Sequence, residues 1–334
     1  MKNNYFDKYI PKPEFIERMR KLMKDEEDFE AYLEISKVQP VNSIRCNTLK
    51  ISVSELKKRL DKKWKVRQPF KENPEVMIVE SELLPGELGK AIEHILGYYY
   101  VQEISSMLPV LVLKPNKGDV YLDLCASPGS KTTQAGAMME NKGLLIANDM
   151  NIGRIMILAS NLQRCGVSNV IVTQHDGVNL CRRLADKKFK FDKILVDAPC
   201  SGEGTIRSSP KTLVMFSENM IRNLAGTQKG LARSALSALK VGGEMIYSTC
   251  THAPEENEAV VSYLLDNFPV ELEEIKLPLK TRSGVLEWEG VKYNPEVKKC
   301  VRIYPQDNNT EGFFVARLRK TGEIEDKRKE ERGK

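Results

Sequence analysis

Between residues 13 and 36, Phe15, Met19, Leu22, Met23, Phe29 and Leu33 recur at helical spacing among charged positions, which predicts one or two amphipathic helices. The pattern then shortens. Ser43 to Leu49 reads as a strand, 53–60 as a helix with Ser52 as its N-cap, and 76–79 as another strand. Residues 1–95 are therefore expected to form a small α+β module. Gly97 to Val101 links it to a helix over 105–113. Beyond that point, β-branched apolar runs at 120–124, 144–148, 169–173, 193–196 and 244–247 alternate with helical stretches near 131–140, 152–165, 178–186, 217–240 and 255–267. Such alternation predicts parallel β-α-β units and a doubly wound α/β sheet, occupying residues 96–319. The stretch 277–305 is irregular, 312–318 reads as a last strand, and 320–334 is an almost wholly charged tail expected to be disordered.

Ligands of a doubly wound sheet bind at the C-terminal ends of its strands. Three segments with chemical potential fall there: Asp123-Leu124-Cys125-Ala126-Ser127-Pro128-Gly129-Ser130-Lys131-Thr132, Asp197-Ala198-Pro199-Cys200-Ser201-Gly202, and Ser248-Thr249-Cys250-Thr251. The first is a tight strand-to-helix turn. It is not a Walker loop, because Cys125 and Ser130 occupy the two glycine positions, and no G-x-G-x-x-G dinucleotide fingerprint follows the strand. Acids recur beyond the next two strands. Asp149 is placed to accept from both hydroxyls of a ribose, and Asp176 from the exocyclic amine of an adenine; each is alternatively a helix N-cap. An adenosyl cofactor without phosphates needs no more, so S-adenosylmethionine fits, with the 126–131 turn around its amino-acid end.

Two thiols beside such a cofactor suggest an adduct that is formed and then taken apart. C5 of a pyrimidine is a poor nucleophile until a thiolate adds at C6, and the C5 proton and the enzyme sulfur must both leave afterwards. Asp197 could serve at N3, stabilising charge on the ring during addition. The remaining Cys46, Cys165, Cys181 and Cys300 read as small buried hydrophobes, and Cys125 as lining the turn through its backbone. His252 either lowers the Cys250 pKa or is a plain surface residue.

Seven cysteines without regular spacing or a C-x-x-C pair argue against a disulfide framework and a zinc site, so no metal is expected. With 52 basic against 46 acidic residues the net charge is +6, too small to announce a nucleic-acid binder by itself. Clusters such as Lys57-Lys58-Arg59 and Lys62-Lys63-Trp64-Lys65 are either a face for a polyanion or a solvated helix surface. No signal peptide or bilayer-length apolar run is present in the sequence, so a cytoplasmic protein with reduced thiols is expected.

These segments resemble the RNA cytosine-5 methyltransferases of the Nop2/Sun (NSUN) type over nearly the whole chain. The resemblance rests on Arg45-Cys46-Asn47-Thr48, Tyr99 to Met107, DLCASPGSKT, DAPCSGEGT, YSTCTHAPEENE and Gly312-Phe313-Phe314-Val315-Ala316. It implies a Rossmann-like class I methyltransferase sheet, an N-terminal RNA-binding module, S-adenosylmethionine as cofactor and RNA as substrate. It further implies that Cys250 is the nucleophile, that Cys200 helps release the product, and that Cys125, Ala126, Ser127, Pro128, Gly129, Ser130, Lys131, Asp149, Arg154, Asp176 and Asp197 line the cofactor and base pocket. Departures from the pattern are Ser130 in place of a second glycine, and Pro210-Lys211 with no nearby tryptophan. The chain's size resembles the compact transfer-RNA enzymes, so a monomer acting on tRNA is expected, the alternatives being a ribosomal-RNA enzyme or an RNA-binding assembly factor of the same fold.

Overall fold

The computed structural model describes residues 9–324. Among the described residues the first two helices are Pro13–Leu22 and Glu26–Ser36, the second capped by Asp25, whose carboxylate accepts from the Asp28 amide. Their apolar faces do not pack on the small sheet that follows. Phe15, Met19, Phe29 and Tyr32 share a core with Ile206, Phe216, Ala253 and Tyr304, residues that border the two cysteine loops. The small sheet itself is antiparallel, ordered β2-β3-β1-β4, from β1 (Asn42–Cys46), β2 (Val66–Arg67), β3 (Val76–Val79) and β4 (Tyr99–Val101). The helix Val53–Leu60 covers it, with Ser52 accepting from the Glu55 amide as its cap. β4 extends this sheet beyond residue 95, since Ile44 and Arg45 pair with Val101 and Tyr100.

The large sheet holds β5 (Val120–Asp123), β6 (Leu144–Asp149), β7 (Val170–Gln174), β8 (Phe191–Asp197) and β9 (Leu239–Thr249), parallel in the order β7-β6-β5-β8-β9. Helices cover both faces, so its central strands are near-continuous apolar runs. The stretch that shows no period in sequence, with the residues just before it, supplies short antiparallel strands. β10 (Val270–Glu273), β11 (Arg282–Ser283), the hairpin β12 (Glu287–Trp288) and β13 (Val291–Lys292), and β14 (Val301–Ile303) precede β15 (Phe313–Lys320). β15 runs antiparallel to β9, while β14 and β10 pair with its opposite ends on the far side. The sheet is thus mixed, because β15 runs antiparallel to β9; the two-residue strands of the irregular stretch are too short to carry an alternation readable in sequence. Lys320, expected to begin the charged tail, closes β15 instead, buried with its ammonium on the Leu239 carbonyl; 325–334 lie outside the described residues.

The strand order decides the site. β8 lies between β5 and β9, so the loops leaving these three strands sit side by side, although the chain separates them widely.

Candidate active site

The turn after β5 is built by its backbone. The Ala126 amide donates to Asn148 O and the Gly129 amide to Ala126 O, tying the loop to the end of β6. Gly129 has φ of 104°, and a Cβ there would press within 3.0 Å of Leu158 Cδ1, so glycine is required. Ser130 is already the first residue of the helix Ser130–Met138, where no positive φ is needed; this is why it can replace a glycine. Asp149, 4% exposed, accepts from the Ser127 and Asn151 amides and lies 3.6 Å from Arg154, whose guanidinium also donates to Ser127 O. Asp176 does cap its helix, one oxygen accepting from the Asn179 amide; its other oxygen makes no hydrogen bond among the described residues. Ser127 Oγ is buried at the same turn without a partner among the described residues. An open backbone cradle rimmed by a carboxylate and an orphaned hydroxyl suits the polar ends of an adenosyl amino acid.

Lys131 connects this turn to the next loop. Its ammonium lies 2.8 Å from Asp197 Oδ2, while Asp197 Oδ1 accepts from Ser248 Oγ at 2.8 Å. The same register, Asp197 opposite Ser248, carries the following residues into contact. Cys200 and Cys250 sulfurs stand 3.2 Å apart, both reduced and half-buried. The hydrogen bond to Cys250, burial and the neighbouring Glu256 together push the Cys200 thiol well above the usual range. The loops are zipped closely: Gly204 N donates to Cys250 O at 2.9 Å, and a Cβ on Gly204 would collide with that oxygen at 2.8 Å and with Gly312 O at 2.4 Å. Cys46, Cys165, Cys181 and Cys300 are buried away from these loops, and Cys125 is half-buried with burial raising its thiol pKa.

His252 corrects both readings of it. It is 1% exposed, stacked on Tyr304 with ring centroids 4.9 Å apart, and burial lowers its pKa to about 3. A neutral imidazole lends no positive charge to Cys250, and it is not a surface residue. Sequence reading also missed Arg45, which was visible only as a motif letter. From the small sheet its buried guanidinium reaches Ser130 O at 2.8 Å and Thr133 Oγ1 at 2.9 Å, holding the first turn of the cofactor-turn helix; burial lowers its pKa to about 10. Asn47 likewise donates to Cys165 O at 2.7 Å. The N-terminal strand is therefore part of the site's support. The basic clusters there are largely neutralised, Lys57 by Asp61, Arg59 by Glu55, Lys63 by Glu93, and Lys65 with Arg67 by Glu80. Lys58 and Lys62 make no ion pair among the described residues. Neither a cluster of metal-ligating side chains nor a helix long and apolar enough to cross a membrane occurs among the described residues.

A Rossmann-like sheet whose first turn is a glycine-shaped cradle, with acids at the neighbouring strand ends, defines a methyltransferase. Known proteins narrow this. Residues 110–319 match the family described as 16S rRNA methyltransferase RsmB/F, and 10–104 match the N-terminal domain of 16S rRNA methyltransferase RsmF. The chain belongs to this Nop2/Sun family of RNA cytosine-5 methyltransferases. It is 44% identical over 306 residues, 91% of this chain and 95% of the relative, to a tRNA (cytosine(49)-C(5))-methyltransferase of Pyrococcus abyssi. It is 39% identical to ribosomal RNA small subunit methyltransferase F of Vibrio cholerae, matching 94% of this chain but 65% of that protein's length. The solved structure of NSun6 from Pyrococcus horikoshii with SFG superposes with a TM-score of 0.79 at 26% identity, covering 93% of this chain and 99% of that one.

Proposed function

We propose that the protein transfers a methyl group from S-adenosylmethionine to C5 of a cytosine in tRNA, through a covalent adduct of Cys250 at C6. The observation that carries this reading is the 3.2 Å contact between two reduced sulfurs at adjacent strand ends, beside a cradle suited to an adenosyl amino acid. S-adenosylmethionine, when bound, supplies an electrophilic methyl on a sulfonium. The 126–131 turn, Asp149 and Arg154 hold it, with Asp176 at the adenine end. Asp197, oriented by Lys131 and Ser248, sits where N3 of the base is recognised and stabilises the ring as sulfur adds. Cys200, in contact with the Cys250 sulfur, eases its departure.

The tRNA assignment is supported by the near-full-length likeness to a tRNA enzyme. Incubating the purified full chain with S-adenosylmethionine and either unmodified tRNA transcripts or small-subunit ribosomal RNA, followed by bisulfite sequencing, tests it. A protected cytosine in tRNA alone is expected; protection confined to the ribosomal RNA would reassign the substrate.

Cofactor binding has its own test. Asp149→Ala is expected to raise the Kd for S-adenosylmethionine at least about tenfold, since hydrogen bonds to a charged acceptor are worth about 1.5–3 kcal/mol each. Unchanged affinity by isothermal titration would remove Asp149 from the pocket. RNA affinity is expected to depend on the two unpaired cations of the N-terminal module. Lys58→Glu with Lys62→Glu should weaken binding and flatten the plot of log Kd against log salt by about 0.7–0.9 for each phosphate no longer neutralised. An identical slope would mean that this surface does not meet RNA.

A further inference from the structure

Replacing the hydrogen on C5 by methyl releases one proton per turnover, which must be accepted beside the two cysteine loops. A chain of hydrogen bonds leads away from the thiols. Ser201, next to Cys200, has its Oγ 2.7 Å from Thr251 Oγ1, next to Cys250, and Thr251 Oγ1 donates to Glu203 Oε2 at 3.1 Å. With Glu203 ionised, Thr251 donates to the carboxylate, and Ser201 is then the donor to Thr251. The chain is therefore polarised from Ser201 through Thr251 to Glu203, and leaves a lone pair of Ser201 Oγ free at its half-exposed end. Thr251 and Glu203 are each only 1% exposed, and Glu203 Oε1 has no partner among the described residues.

We propose that Ser201, Thr251 and Glu203 form a proton relay that takes the C5 proton during elimination, with Glu203 as its buried terminus. This rests on the cytosine-methylation reading above. As the C5–H bond breaks, its electron pair becomes the C5–C6 double bond, and the C6–S pair leaves on Cys250 as thiolate. The proton passes to Ser201 Oγ while the Ser201 proton moves to Thr251 and the Thr251 proton to the Glu203 carboxylate. After the product departs, the neutral acid returns its proton to water by the same hydroxyls. No oxidant, reductant or other co-reactant is needed.

The surroundings suit a carboxyl that must both take and give a proton. Burial pushes Glu203 up and the Arg18 guanidinium, from the first N-terminal helix, pulls it down, leaving its pKa at about 7. Glu255 and Glu256, from the segment after Cys250, raise it; Tyr32 of the second helix also lies within its field. Arg18 is committed to Glu255 by a bidentate pair at 2.9 and 3.0 Å, so it tunes Glu203 without neutralising it through direct contact. Glu256 instead holds the loop, accepting from the Ser201 amide and from Gln228.

The test uses the full chain with substrate RNA tritiated at cytosine C5, comparing tritium release with methyl incorporation under single turnover. Glu203→Gln keeps the acceptor for Thr251 but cannot take a proton. It is expected to bind RNA and cofactor normally, to methylate, and to release tritium about 10²-fold more slowly, the low end of general-base effects. The stalled adduct should survive denaturing electrophoresis. Since the carboxylate is the working form, wild-type tritium release should rise with pH through about 7, and the variant should lose that rise. Thr251→Val should behave like Glu203→Gln, and Thr251→Ser like the wild type, which separates the relay from a packing role. Wild-type release rates in both Glu203→Gln and Thr251→Val would overturn the relay. So would an equal fall in methyl incorporation and tritium release, with the pH rise retained. Wild-type protein that protects no cytosine from bisulfite would instead overturn the functional reading beneath it.

Discussion

Cys200→Ala is expected to accumulate a protein–RNA species that survives denaturing gel electrophoresis, and Cys250→Ala is expected to form none. The two thiols sit at the ends of neighbouring parallel strands and touch, so position alone does not separate their roles. The proposed reaction does. In it Cys250 attacks C6, and Cys200, whose thiol is pushed upward by its hydrogen bond with Cys250 and by burial, serves the departing sulfur. Without Cys200, addition and methylation proceed while expulsion of Cys250 slows, and the adduct is caught. Without Cys250 there is nothing to add to C6, although RNA and cofactor still bind. Turnover should fall by several orders of magnitude in both variants, so the gel rather than the rate distinguishes them. A resistant complex from Cys250→Ala and none from Cys200→Ala would exchange the two assignments.

The largest structural effect is expected at Arg302, on β14. Its guanidinium forms a two-pronged pair with Glu258 at 2.6 and 2.5 Å, donates to the His252 carbonyl at 2.9 Å, and is 2% exposed against a fully buried Glu258. Arg302→Met leaves the Glu258 carboxylate buried and uncompensated, and should cost about 3–5 kcal/mol in urea unfolding. Removing both charges, Arg302→Met with Glu258→Leu, should recover most of that loss, because the desolvation cost of the pair disappears with it. The double variant is nevertheless expected to methylate poorly. The His252 carbonyl lies two residues from Cys250, and removing its donor frees the loop that sets the sulfur. If the single variant unfolds at the wild-type midpoint, the pair contributes nothing to stability; if the double variant has full activity, it does not position the loop.

Much of this protein is legible along the chain. Alternating apolar runs and amphipathic stretches fixed a doubly wound sheet, because parallel strands buried on both faces need apolar residues at nearly every position. Local chemistry placed Ser52 as a cap, the glycine turn after β5, and cysteines on loops beyond β8 and β9. Those features depend on neighbours in sequence. What the chain could not declare depends on neighbours in space. Cys200 and Cys250, 50 positions apart, meet only because β8 and β9 pair in parallel with Asp197 opposite Ser248. Arg45 reaches Ser130 across 85 residues from a different sheet, and no spacing rule links an arginine on one strand to a carbonyl in another layer. In sequence the basic clusters are equally a polyanion face or a solvated helix surface; folding brings Glu93 against Lys63 and Glu80 against Lys65. His252 and Glu203 look like ordinary polar residues of loops. Burial beneath the N-terminal helices makes the first neutral and raises the pKa of the second, because the charge state of an ionisable group is set by the dielectric and the charges that tertiary packing places around it.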